Sequence, residues 1–131
     1  MKKLFQSGDW ATEKHVPVID IVETDMEKGI RIKLSIGKEI PHPNTTAHHI
    51  VWIEAYFLPE GSKFPYHIGR VEFASHGAST YGADTSTIYS IPEAILSFKT
   101  TKSGTIYASS YCNIHGLWEG ETNLSLAKTD I

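Results

Sequence analysis

Apolar and polar positions along this chain alternate with a period of two. Residues 30–36, IRIKLSI, put Ile30, Ile32, Leu34 and Ile36 on one face and Arg31, Lys33 and Ser35 on the other. That is the pattern of a half-buried strand. Residues 50–58, IVWIEAYFL, are apolar at nearly every position. Val51, Ile53, Ala55 and Phe57 make the drier face, and Trp52, Glu54 and Tyr56 the mixed one, so a central strand is expected there. Further strands are expected at 16–22, 68–75, 86–91, 94–100, 104–111 and 121–127. Turn chemistry separates them: EKG at 27–29, PEGSKF at 59–64, HGAS at 76–79, IP at 91–92 and KSG at 102–104. Helical periodicity is absent, with room for one turn at most within 3–10.

Seven or eight short strands at this spacing predict an all-β fold, an antiparallel sandwich or barrel of immunoglobulin-like plan. The 131 residues suit a single domain over 1–131. The longest irregular segment is 37–49, GKEIPHPNTTAHH. Long loops carried on a rigid sheet are where sites gather.

Composition narrows the function classes. Hydrophobic residues are 40% and charged residues 21%, with a net charge of −3, so neither nucleic acid nor an anionic membrane is expected as partner. The start, MKKLFQSGDW, turns polar by Gln6, and no secretory leader is expected. No apolar run approaches the roughly 18 residues of a membrane-spanning helix. One cysteine against seven histidines excludes a disulfide scaffold and fits a reducing compartment, so cytoplasm is the expected location.

The histidines and the cysteine fall at strand ends and in loops. His42 sits between Pro41 and Pro43, which stiffen its backbone, and His48 ends the same loop. His15 opens a strand in EKHVP, and Cys112 and His115 span one tight turn in SSYCNIHG. A sandwich brings its end loops together, so these five residues are candidate metal ligands, with His49 a sixth. His49 and His48 have opposite strand parity, and both are not expected on one metal. His49 is given a structural role, and His67 and His76 are taken as solvated. The set exceeds the four ligands of a structural zinc site. Blue copper, also held in a β-sandwich, takes two histidines, a cysteine and a weak methionine, but Gly116, Leu117 and Trp118 follow the turn, and the methionines are Met1 and Met26. Five donors of mixed softness suit a redox iron better, with a cupredoxin-like electron carrier and a merely buried Cys112 as the alternatives. The turn is expected to aim N–H groups of Asn113 and Ile114 at the sulfur. Gly116 is expected to relieve crowding beside the metal.

The segments GDWATEKHVPVI, GKEIPHPNTTAHHIVWIEAYFLPEG, GRVEFASHG and YASSYCNIHGLWE resemble superoxide reductase, the one-iron neelaredoxin class of the desulfoferrodoxin family. The likeness covers nearly the whole chain. It implies one mononuclear iron held by His15, His42, His48 and His115 in the equatorial plane and Cys112 on the axis. It implies that Glu13 ligates the oxidised iron and that Lys14 attracts the substrate at the vacant site of the reduced iron. The implied activity is one-electron reduction of superoxide to hydrogen peroxide, with re-reduction by a rubredoxin-like donor, in a homotetramer.

Overall fold

A computed structural model describes residues 4–127. Its strands are β1 (Val18–Asp25), β2 (Gly29–Ser35), β3 (Ile50–Pro59), β4 (Tyr66–Glu72), β5 (Glu93–Phe98), β6 (Gly104–Cys112) and β7 (Gly116–Leu124). All pairings are antiparallel, in a three-stranded sheet β1-β2-β5 and a four-stranded sheet β4-β3-β6-β7. The all-β sandwich is therefore as expected, at seven strands. In the constant-type immunoglobulin plan the fourth strand joins the sheet of the first two. Here β4 pairs with β3 instead.

The inner faces follow the alternation. Ile30, Ile32 and Leu34 of β2 pack against Ile53, Ala55 and Phe57 of β3 and Ile106 and Ala108 of β6 in one core. That core ends in Cys112, which is fully buried. One expectation about β3 is overturned. A bulge between Ile50 and Trp52 shifts the parity, so Ile50 points inward and Val51 is left half-buried.

Residues 86–91 do not form a strand. Ser86 bonds locally, its Oγ accepting from Ile88 N–H and donating to Ile88 C=O, an alternative to ladder pairing. Ile88, Tyr89 and Ile91 stay exposed, so no sheet face gains from taking them in. β7 begins five residues before the expected 121, directly after the Cys112–His115 turn. The helical turn expected within 3–10 falls later, where Asp9 C=O accepts from Thr12 and Glu13 N–H. Residue 3 lies outside the described residues.

The register brings the starts of β1, β3 and β7 to the same end as the finishes of β2 and β6: Val18 opposes Ser35, Ile50 opposes Cys112, and Cys112 opposes Gly116. The segment 37–49 crosses between the sheets at this end. Gly37 opens it at φ +81°, and a Cβ there would lie 2.7 Å from His42 N. A left-handed L-residue costs about 1–2 kcal/mol before any clash. Gly37→Ala is expected to destabilise the metal-free protein by about 2 kcal/mol or more in urea unfolding. A loss below about 0.5 kcal/mol, the size of an ordinary surface substitution, would show that the loop entry is not constrained.

Candidate metal centre

Four imidazoles close into a ring at this end. Successive ring centroids are 4.8 Å apart for His15–His42, 4.7 Å for His42–His48, 5.0 Å for His48–His115 and 4.7 Å for His115–His15. The His15–His48 diagonal is longer, at 6.4 Å. The ligand atoms of His15, His42, His48 and Cys112 all lie within 4.8 Å of one another. His115 completes the set. Its Nδ1 is 3.2 Å from both His15 Nε2 and His48 Nε2, and 3.9 Å from Cys112 Sγ. His42 Nε2 lies 3.5 Å from the sulfur.

Two of these rings have their far nitrogen tied off. His42 Nδ1–H donates to Pro43 C=O at 2.6 Å, and His15 Nδ1–H donates to Glu13 Oε1 at 2.6 Å. Each bond leaves the Nε2 lone pair facing the centre, the usual arrangement of a ligating histidine. Burial, with the neighbouring His15, His48 and Lys14, pushes His42 down to about 4, and burial also lowers His48. Neutral imidazole is the metal-binding form.

The centre has a dry side and a wet side. Cys112 is fully buried, and His115 N–H donates to its sulfur at 3.4 Å. Asn113 was expected to supply such a bond, but its N–H turns to His49 C=O at 3.2 Å. On the other side an open cleft of about 450 Å³ is lined by Glu13, Lys14, His15, Ile40, His115 and Trp118, and not by Cys112. Glu13 is held on His15, whose ring bond is the main reason its carboxyl sits below the usual range. Lys14 has no ion-pair partner among the described residues, and its charge lowers the pKa of Glu13, His42 and His48.

The donor set fits one cation. Four nitrogens and a sulfur at these separations can surround one ion, and only a proton shared between two rings would otherwise join them. The soft thiol and imidazoles suit a transition metal. A copper site with an axial methionine does not fit: Met26 follows β1 at the far end of the sandwich, beside Phe57 and Phe98, and Met1 lies outside the described residues.

Other residues take places that alternation could not reveal. Trp118 stacks on His15 at 4.8 Å and 14°, and its Nε1–H donates to His115 C=O at 3.2 Å. Its only signal in the sequence is its place three residues after His115. His49 lies outside the ligand ring, bonded to Thr45 C=O through Nδ1 and stacked on His76 at 3.5 Å. His76 is not simply solvated: its Nε2 is 2.7 Å from Phe73 O and its Nδ1 3.0 Å from Asn44 Oδ1. His67 is exposed, 3.7 Å from Glu54. Gly116 meets no crowding, since a Cβ there would touch nothing within 4 Å. It is required by φ +79°, a left-handed turn that returns the chain to β7.

The desulfoferrodoxin family profile matches residues 7–121. The superoxide reductase of Pyrococcus furiosus is 56% identical over 124 residues, covering 95% of this chain and 98% of the relative. The neelaredoxin of Megalodesulfovibrio gigas is 46% identical over 129 residues, covering 96% of this chain and 98% of the relative. The solved structure of superoxide reductase (neelaredoxin) from Archaeoglobus fulgidus in the reduced form matches with a TM-score of 0.91 at 60% identity, covering 95% of this chain and 100% of that one.

The depressed His42 pKa has a sign that can be measured. Between about pH 6.5 and about 4 the unfolded histidine takes a proton that the folded one refuses. Stability of the metal-free protein should therefore fall as pH drops through that window, by up to about 1.4 kcal/mol per pH unit for this group. Urea unfolding across the window should show the slope, reduced in His42→Gln. An identical slope in both proteins would mean that His42 is not held neutral by the fold.

Proposed function

The chain belongs to the desulfoferrodoxin family, and from that premise we propose how it works as a superoxide reductase. The observation that carries the reading is the convergence of four imidazole nitrogens and one thiol on a common centre, with His115 Nδ1 within 3.2 Å of two other nitrogens. The protein uses a mononuclear iron, for which we assign His15, His42, His48, His115 and Cys112 as ligands. An iron held there would supply the one-electron, ferrous-to-ferric chemistry that reducing superoxide requires. With two protons the product is hydrogen peroxide.

The chain's own groups prepare that step. Lys14, with no ion-pair partner among the described residues, lines the cleft, where its charge raises the local concentration of a small anion. Neutral imidazoles leave the centre cationic enough to receive that anion. The buried Cys112 keeps a soft donor away from water and oxidants, and the His115 N–H bond tempers its basicity. Glu13 is the carboxylate of the cleft. We assign it as the carboxylate that would ligate the oxidised metal, in exchange for its bond to His15.

The finer assignments belong to the same proposal. Residues 1–131 act as one domain. A single free thiol suits a reducing compartment, so the cytoplasm is the proposed location. Exposed Ile88, Tyr89, Ile91 and Ile95 support self-association, and the proposed assembly is a homotetramer. The donor is a small rubredoxin-like electron carrier. Neither nucleic acid nor a membrane enters as partner.

Metal analysis of protein purified without chelators should give one iron per chain, with a high-spin ferric resonance after oxidation. Pulse-generated superoxide should oxidise the ferrous protein at a near diffusion-limited rate. Cys112→Ser should slow this sharply, and Lys14→Ala should slow it about tenfold or more at low salt, with a flatter salt dependence. Stoichiometric copper would support an electron carrier instead. A rate and salt slope unchanged in Lys14→Ala would remove its steering role.

A further inference from the structure

We propose that Asn113 is a positioning residue for the metal centre: its carboxamide grips the chain on both sides of His48 and holds that imidazole against His115 and Cys112. The inference rests on the metal-centre reading above but not on the reaction.

Asn113 is the second residue of the turn between β6 and β7, and its side chain reaches across to the 37–49 loop. Its Oδ1 accepts from His49 N–H at 2.9 Å, and its Nδ2–H donates to Ala47 C=O at 2.9 Å. Its backbone N–H donates to His49 C=O at 3.2 Å. The two carboxamide bonds therefore enclose one residue, His48, and the backbone bond fixes the residue after it. That residue's own backbone groups are engaged elsewhere: its N–H lies 3.3 Å from Thr45 O and 3.1 Å from Thr45 Oγ1, and its C=O accepts from Thr45 N–H at 2.9 Å. The tight 45–48 turn is thus a small rigid body, and Asn113 sets where it sits.

Strand pairing alone does not set it. The β3–β6 register ends at Ile50 opposite Cys112, with a bulge immediately beyond Ile50. From there, residues 47–49 are joined to the Cys112–His115 turn through Asn113. The turn carries two of the proposed ligands and the loop a third, so this residue couples the two pieces of the centre.

The chemistry is selective for asparagine. Ala47 offers a carbonyl and His49 an N–H, and a carboxamide presents a matching donor and acceptor in one plane. Aspartate keeps the acceptor for His49 but turns a second oxygen toward the Ala47 carbonyl. Leucine keeps the shape and loses both bonds. Because Asn113 is exposed, neither change opens a cavity in the core.

The test is an anaerobic titration of the full chain with ferrous iron against a competing chelator. It compares wild type, Asn113→Leu, Asn113→Asp, His48→Ala and the double variant Asn113→Leu/His48→Ala. Loss of an outer partner of a metal ligand costs about 10- to 100-fold in affinity. That loss is expected for Asn113→Leu, with a smaller one for Asn113→Asp. In the His48→Ala background the same Asn113→Leu change should cost less than about twofold, because no imidazole is left to position. The ferric resonance of Asn113→Leu should also change its rhombicity, which a general loss of stability would not produce. An equal loss with and without His48 would overturn the proposal, as would wild-type affinity and an unchanged resonance in Asn113→Leu. Wild-type protein that takes up no iron would instead refute the metal-centre reading beneath it.

Discussion

The crowding of four imidazoles and a thiol around one centre is the constraint on which this end of the molecule depends. Four imidazole nitrogens and a thiol converge on one centre, some at 3.2 Å. Among the described residues the one backbone donor to this group is the His115 N–H on the sulfur, and the ring–ring contacts follow the protonation of the imidazoles. The rings are held by ties on the outer side of the centre: Glu13 on His15, Pro43 on His42, the 45–48 turn around His48 and Trp118 on both His15 and His115. Metal binding and the order of the loops are therefore expected to be coupled.

The long connection 73–92 takes its meaning from the same constraint. Asn44 Nδ2–H donates to Ser90 C=O, and Thr46 N–H and Oγ1–H donate to Asp84 Oδ1 at 2.7 and 2.9 Å. Both contacts fall between the proposed ligands His42 and His48. The segment therefore braces the loop that carries His42 and His48. The centre is also asymmetric. A fully buried sulfur faces the core, and an open cleft lined by Lys14 faces solvent. That arrangement admits a small anion at one side while shielding the oxidisable ligand at the other.

Much of this was legible in the chain. Period-two alternation located β2, β3, β5 and β6 within a few residues, because each has one face in the core. The five candidate ligands were recognisable by type and by their place at strand ends, and they do converge. Legibility failed where local side-chain bonds or backbone shape overrode the pattern. Ser86 bonding to Ile88 removed an expected strand, and the bulge after Ile50 moved Val51 off the dry face. His76 looked like a loop histidine because its partners, Asn44, Phe73 and His49, lie far from it or carry no signal at that spacing. Gly116 was expected to matter for space and matters for its φ of +79°.

The most direct test of the central claim is product stoichiometry under anaerobic single turnover. Fully reduced, iron-loaded protein is mixed with less than one equivalent of superoxide, and peroxide, oxygen and ferric iron are measured together. A reductase yields one peroxide and one ferric iron for each superoxide, with no oxygen released. Half an equivalent of peroxide accompanied by oxygen would contradict the claim, because the centre would then be dismutating superoxide instead of reducing it.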